Sequence, residues 1–220
     1  VALGPGAGVR GGGVIAQGTP AQVAASAESL TGRYLAHTLR SARGQGEPLS
    51  GRLDPPDGAR FAGVLIGDPE DLWLLATDFG YGFTVRLKEL HTRNRAGKAV
   101  LKVDEAARVL PAVPVPADDA LLACVNSDGR LLVFAAADVP ELPRGKGNKL
   151  LGIPGRKAEA REELMSSVTV LRADQDLLVW SGERKMTLKA AELGDYRGER
   201  AQRGAVLPRG WRKVDRLEPA

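Results

Sequence analysis

Three stretches of this 220-residue chain repeat one order of events, and that repetition constrains the fold more than any other feature. Leu72-Trp73-Leu74-Leu75-Ala76-Thr77 runs into an Asp-Phe-Gly turn, then Phe83-Thr84-Val85-Arg86-Leu87, then Lys88-Glu89-Leu90. Ala120–Val125 leads through Asp128-Gly129 to Arg130–Phe134 and on to Val139–Leu142. Leu177–Trp180 leads through Ser181-Gly182 to Lys185–Leu188 and Ala191-Glu192-Leu193. The Leu-Leu pairs begin at 74, 121 and 177. Apolar runs of four to six residues joined by glycine turns predict hairpins, and a period near fifty predicts a propeller-like array of blades. The 27 glycines and 14 prolines favour such turns over long helices.

After each hairpin comes a segment that is both basic and glycine-bearing: Arg93-Asn94-Arg95-Ala96-Gly97-Lys98, Arg144-Gly145-Lys146-Gly147-Asn148-Lys149 and Arg200-Ala201-Gln202-Arg203-Gly204. A fourth, Ala42-Arg43-Gly44-Gln45-Gly46, precedes the first hairpin. Each opens a short apolar stretch (Leu49–Leu53, Ala99–Val103, Leu150–Ile153, Ala205–Leu207), expected as a strand passing onward. Glycine lets a backbone approach a phosphate and aim N–H groups at it, while Arg and Lys supply charge. One such loop is an ordinary turn with solvated charges, but four at one place in a repeat favour an array of phosphate contacts. The candidate DNA-binding residues are Arg43, Arg93, Arg95, Lys98, Arg144, Lys146, Lys149, Arg200 and Arg203. Arg86, Lys88 and Arg130 lie on the hairpins and are expected off this rim.

Charge distribution supports a polyanion partner. The chain carries +4 overall, yet residues 197–216 hold seven Arg and Lys against Glu199 and Asp215, a local +5. A basic surface on a near-neutral body meets its partner at defined places. The apolar runs are too short for a membrane span, and residues 1–39 lack the charged-then-apolar order of a secretory signal. The single cysteine, Cys124, excludes an internal disulfide and reads as a small core residue in a reducing cytoplasm.

Ser41-Ala42-Arg43-Gly44-Gln45-Gly46-Glu47-Pro48-Leu49, Asp78-Phe79-Gly80-Tyr81-Gly82-Phe83, Arg93–Ala99 and Lys146-Gly147-Asn148-Lys149 resemble the C-terminal domain of the A subunit of bacterial DNA topoisomerase IV, over about residues 38–217. The related gyrase A domain carries a Gln-Arg-Arg-Gly-Gly-Lys-Gly box from which all four loops here depart. The resemblance implies an all-β, propeller-like β-pinwheel whose blades exchange strands and whose rim bends DNA. It is incomplete here, with about three full blades where the family has more, so an open arc is expected. The implied repeats are about 49–98, 99–149 and 150–218, within a domain of residues 40–220. In the family this domain presents duplex DNA to a catalytic core and does not cut it. The implied partners are duplex DNA, the homodimeric catalytic core built by the A subunit, and the ATPase B subunit, in the bacterial cytoplasm at the nucleoid.

Residues 1–39 differ. Leu3–Gly8, Gly11–Pro20 and Thr31-Gly32-Arg33-Tyr34-Leu35 resemble the extreme C-terminus of the A subunit of excinuclease ABC, the ATPase of nucleotide excision repair, with Ala2 where that family usually has Asp. A short strand-helix appendage is expected, its helix capped at Thr19 and joined to the rest near Thr38-Leu39-Arg40. Gly6-Ala7-Gly8-Val9-Arg10-Gly11 spells a dinucleotide fingerprint, but Gly12-Gly13-Val14-Ile15-Ala16 after it reads as a turn and a strand rather than a helix. Arg33-Tyr34 is the dipeptide of type II topoisomerase cleavage sites without the scaffold that chemistry needs, and Tyr34 is expected to pack with Leu30. His37 and His91 lack neighbouring ligands at metal spacing and read as surface residues. Trp73 and Trp180 fall on strand-like runs and read as core, Trp211 is open to base stacking, and Tyr81 reads as a turn aromatic over a blade edge. No cofactor and no catalytic residue are expected in this chain. The rival readings are a propeller-like protein-interaction module and a remnant of the repair ATPase; salt-dependent DNA binding and ATP binding separate them.

Overall fold

The structure is a computed structural model that describes Gly58 and residues 62–94, 96–116 and 119–220, together with the backbone of 2–3 and 14–16. The chain divides into two units, Val1–Asp54 and Pro55–Ala220. In the first, β1 (Ala2–Leu3) pairs antiparallel with β2 (Val14–Ala16), so the strand expected after the glycine run is present. The helix expected from Thr19, Tyr34, His37 and the junction near residues 38–40 lie outside the described residues.

The second unit contains the three expected hairpins. They are β3 (Leu72–Ala76) with β4 (Tyr81–Arg86), β6 (Leu121–Asn126) with β7 (Arg130–Ala135), and β10 (Leu177–Ser181) with β11 (Arg184–Leu188). A short helical turn follows each: α1 (Leu87–Leu90), then 3-10 turns at Ala136–Asp138 and Glu192–Tyr196. A third strand returns antiparallel to the first strand of each hairpin, namely β5 (Val113–Val115), β9 (Met165–Leu171) and β13 (Arg216–Pro219). The fourth strand comes from the following repeat: β8 (Asn148–Lys149) pairs with β4, and β12 (Ala205–Val206) with β7. Blades 1 and 2 thus have four strands and blade 3 has three. A five-residue helix, α2 (Gly155–Glu159), lies between β8 and β9.

Side-chain alternation along the strands sorts the apolar residues into two layers. Leu74 and Ala76 of blade 1 join Leu122, Cys124, Leu132, Phe134, Val168 and Val170 of blade 2 in one core. The opposite face of blade 2 (Leu121, Ala123, Val125, Leu131, Val133) packs with Leu177, Val179, Leu188 and Leu217 of blade 3 in the other. Cys124 is fully buried, and burial pushes its thiol above the ordinary range, as its place in an apolar run implied.

Several local expectations are corrected. Ala99–Val103 forms no strand; Leu101 makes a single parallel bridge with Gly145, and Ala99 and Val103 are exposed. Among the described residues no hairpin lies under it as β4 lies under β8. The strand expected at Leu150–Ile153 begins earlier, at Asn148, while Leu150, Leu151 and Ile153 turn into the core. Trp73 and Trp180 are half-buried rather than core. They occupy the strand positions that alternate with Leu74 and Val179, and each indole Nε1 is buried without an acceptor.

Candidate nucleic-acid interface

The basic glycine loops are the places where one repeat crosses onto the hairpin of the previous one. Leu150 N donates to Gly80 O at 2.7 Å and Leu207 N to Gly129 O at 2.9 Å, so the two crossings are equivalent. Lys149 then faces Tyr81, and Val206 faces Arg130. Gly147 and Gly204 sit at the matching position with φ of +76° and +75°. A Cβ there would lie 2.1 Å from Gly82 O and 2.5 Å from Leu131 O respectively. Their physical role is therefore close passage over a neighbouring backbone in a left-handed conformation. Loop amides are partly spent inside the protein, with Gly145 N on Val100 O and Gly97 N on Asn94 O. What the loops offer outward is side-chain charge.

At the first crossing Tyr81, Lys146 and Lys149 line a cleft of about 430 Å³ with Phe79, Asp104, Glu105 and Glu159. Tyr81 covers this edge as expected, and Lys146 Nζ stands 4.3 Å and Lys149 Nζ 5.7 Å from its ring centre. Such placement attracts an ammonium to the ring face. Lys146 also pairs with Asp104 at 2.7 Å, and that hydrogen bond raises its ammonium above the ordinary lysine value. The lysine stays charged at every physiological pH. Arg144, two residues before it, is exposed.

The second crossing is more basic. Arg130, Lys157, Arg203, Arg212 and Lys213 line a cleft of about 560 Å³ with Ser127, Asp128 and Val206. Arg203 Nη2 bonds the buried carboxylate of Glu163, and its side chain keeps 41% of its surface exposed. Arg200 spends Nη1 on Lys149 O at 2.7 Å, tying this loop to the previous one. Arg130 is the correction here: rather than standing off the rim, it points to the crossing strand and donates to Gly204 O at 3.2 Å. The reason is register, since Arg130 follows Gly129 as Tyr81 follows Gly80. Lys157, Arg212 and Lys213 were not singled out by sequence; Arg212 and Lys213 lay within the basic 197–216 run, and Lys157 carried no local signal. Arg86 and Lys88 do stand away from both clefts, ion-paired with Glu141 and Glu70.

The remaining candidates are more dispersed. Arg93 and Lys98 are exposed on the loop before residue 100, with Lys98 Nζ donating to Glu89 O. Arg43 and Arg95 lie outside the described residues. Trp211 is half-buried against the second core, its ring 5.2 Å from the Arg184 guanidinium, so part of its surface is unavailable for stacking. His91 is exposed, as expected. Among the described residues no group of His, Cys, Asp and Glu has metal-binding geometry, and no helix is long and apolar enough to cross a membrane.

This architecture matches known proteins. The profile of the DNA gyrase C-terminal domain, beta-propeller family matches residues 71–116 and 120–170. The A subunit of DNA topoisomerase 4 from Pseudomonas aeruginosa is 48% identical over 183 residues, 83% of this chain and 24% of that protein. Its counterpart from Escherichia coli K12 is 40% identical over 181 residues, 82% and 24% respectively. The chain thus spans about a quarter of the length of these relatives. Among solved structures, the E. coli ParC C-terminal domain superposes with a TM-score of 0.75 at 39% identity, over 81% of this chain and 72% of that one. A DNA gyrase A C-terminal domain superposes at 0.60 with 16% identity, over 82% and 60%, a likeness of fold alone. Shared sequence and shared structure together make this chain a member of the family of C-terminal domains of the topoisomerase IV A subunit, with the gyrase A type of β-pinwheel fold.

Proposed function

We propose that the pinwheel binds duplex DNA by its phosphates, with little sequence preference, and bends it along the crossing edge. The observation that carries this reading is the cationic cleft at the second crossing, built on Arg130, Lys157, Arg203, Arg212 and Lys213 against Asp128 alone, with Lys146 and Lys149 at the equivalent first crossing set among Asp104, Glu105 and Glu159. Cations repeated at equivalent crossings suit a regular polyanion better than a small ligand, and phosphate contacts position a duplex without reading bases. As part of a topoisomerase IV A subunit, the domain would present a DNA segment to the enzyme's catalytic core, working with the ATPase B subunit in the bacterial cytoplasm. Strand cleavage belongs to that core, and this chain contributes binding.

The test compares two sets of substitutions in the full chain on random-sequence duplex. Replacing Arg144, Lys146 and Lys149 together by Ala should weaken binding to all sequences alike, and each phosphate no longer gripped should lower the salt slope by about one. Replacing Arg86 and Lys88, which stand at Glu70 and Glu141, should do less. Circular dichroism checks the fold of both variants first. Equal losses per charge would assign binding to diffuse charge rather than to the crossings. A fluorescence-transfer measurement on end-labelled duplex tests bending, and an unchanged end-to-end distance would remove that part.

A further inference from the structure

Among the described charged groups, Glu163 is unusual in being buried, with 1% of its surface exposed. It lies in Arg161-Glu162-Glu163, where the sequence gives no hint of burial. One oxygen, Oε1, accepts from Asn126 Nδ2 at 2.8 Å and from Arg203 Nη2. The other, Oε2, faces Lys157 Nζ at 3.4 Å and has no hydrogen-bond donor of its own. Asn126 is buried too, and its Oδ1 accepts the amides of Arg130 at 2.8 Å and Asp128 at 3.2 Å. One carboxylate therefore reaches Arg203 on the crossing loop, Lys157 on α2 and, through Asn126, the hairpin turn that carries Arg130. Burial opposes its charge, but the bond from Arg203, the Arg203 charge, the bond from Asn126 and the nearby Lys157 ammonium prevail and hold its carboxyl below the ordinary range.

A buried ion group of this kind is a poor device for stability, because desolvation offsets most of the attraction. It is a good device for holding long cations in place. Arg and Lys lose rotamer freedom when they grip a phosphate, and cations already fixed lose less. We propose that Glu163 is a positioning residue of the second cleft, holding Arg203 and Lys157 where they meet the phosphates of duplex DNA. This rests on the DNA-binding reading above and adds to it a buried acid that no charge pattern would select.

The two explanations of binding give Glu163→Gln opposite signs. The substitution removes a negative charge from a basic cleft, so diffuse attraction makes binding tighter. Loss of positioning makes it about three- to tenfold weaker, the worth of a charged hydrogen bond in part, with a salt slope smaller in magnitude by about one. The full chain would be titrated with random-sequence duplex across a salt series, for wild type, Glu163→Gln and the charge-retaining Glu163→Asp. The expected result is weakening by Glu163→Gln, partial recovery in Glu163→Asp, and a smaller cost for Arg203→Ala in the Glu163→Gln background than alone. Tighter or unchanged binding by a folded Glu163→Gln overturns the proposal. If Glu163→Gln does not fold, the charge-retaining Glu163→Asp carries the test: it leaves the charge of the cleft unchanged, so weakened binding supports positioning and unchanged binding overturns it. A wild-type chain without salt-dependent binding overturns the DNA-binding reading itself, whereas normal wild-type binding with a tighter Glu163→Gln overturns the role of Glu163 alone.

Discussion

In blade 2 every residue of β6 is buried, from Leu121 to Asn126, whereas β10 of blade 3 buries Leu177 and Val179 and leaves Leu178, Trp180 and Ser181 half-exposed. The strands hold the same place in the repeat, so the difference lies in their neighbours. Blade 2 is sandwiched, one face on blade 1 and the other on blade 3. It therefore needs an unbroken apolar run, as a sheet covered on both sides does. Blade 3 packs one face inward and shows Lys185, Thr187, Arg216 and Glu218 on the other, around Trp180. Arg216 and Lys185, its register neighbours on either strand, stand 4.7 and 5.8 Å from the Trp180 ring. Among the described residues this outer face is the polar one. The repeat supplies the hairpin, and the alternation within it matches whether a blade is covered on two faces or on one among the described residues.

The largest effects should separate the two blades. Leu132→Ala, at a site 1% exposed in blade 2, should cost about 2–5 kcal/mol by transfer and cavity terms. Leu178→Ala, on the outward face of blade 3, should cost less than about 1 kcal/mol, since little area leaves water there. Equal costs in denaturant melts would break the distinction between the two blades. Next comes the crossing that joins them. Gly204→Ala forces a left-handed φ and a 2.5 Å approach to Leu131 O, so a loss of about 2 kcal/mol is expected from conformation and clash together. A wild-type melt would show that the crossing relaxes freely.

A smaller effect is pH-dependent and belongs to blade 2. The Glu163 carboxyl is held below its ordinary value of 4.5, so its contribution is complete above that pH and fades as pH falls through the folded value. Wild type and Glu163→Gln should therefore differ most in melting temperature near neutrality and converge in acid; a gap that widens on acidification would reverse this assignment. The smallest effect is expected at Arg172, whose exposed side chain lies 3.7 Å from Asp174. Arg172→Ala should shift stability by no more than about 0.5 kcal/mol, as solvent-screened pairs do, and a larger loss in the same melts would show that this pair is not merely a surface contact.

The hairpins were legible because their pattern is local: alternating apolar residues, a glycine turn and a short helical turn. Strand exchange was only partly legible: β12 falls within the strand expected at Ala205–Leu207, whereas β8 is two residues long and sits inside one of the basic segments that composition reads as loop. The glycines of those segments had a visible need for special backbone, but the partner pressing on them, Gly82 O or Leu131 O, is set by a neighbouring repeat. The basic loops were found as charge, and Arg130 was misplaced because its company depends on register across blades. Repeat alignment could have found it, since Arg130 occupies the place of Tyr81. Glu163 and Lys157 gave no such signal; their convergence is tertiary.

The central claim is that charge fixed at the blade crossings grips DNA phosphates, and the salt dependence of binding tests it most directly. The equilibrium constant of the full chain for random-sequence duplex would be measured by anisotropy across a salt series. If roughly four to six phosphates are neutralised, log K should fall against log salt concentration with a slope near −4 to −5. A flat response, or no binding at low salt, would contradict the account.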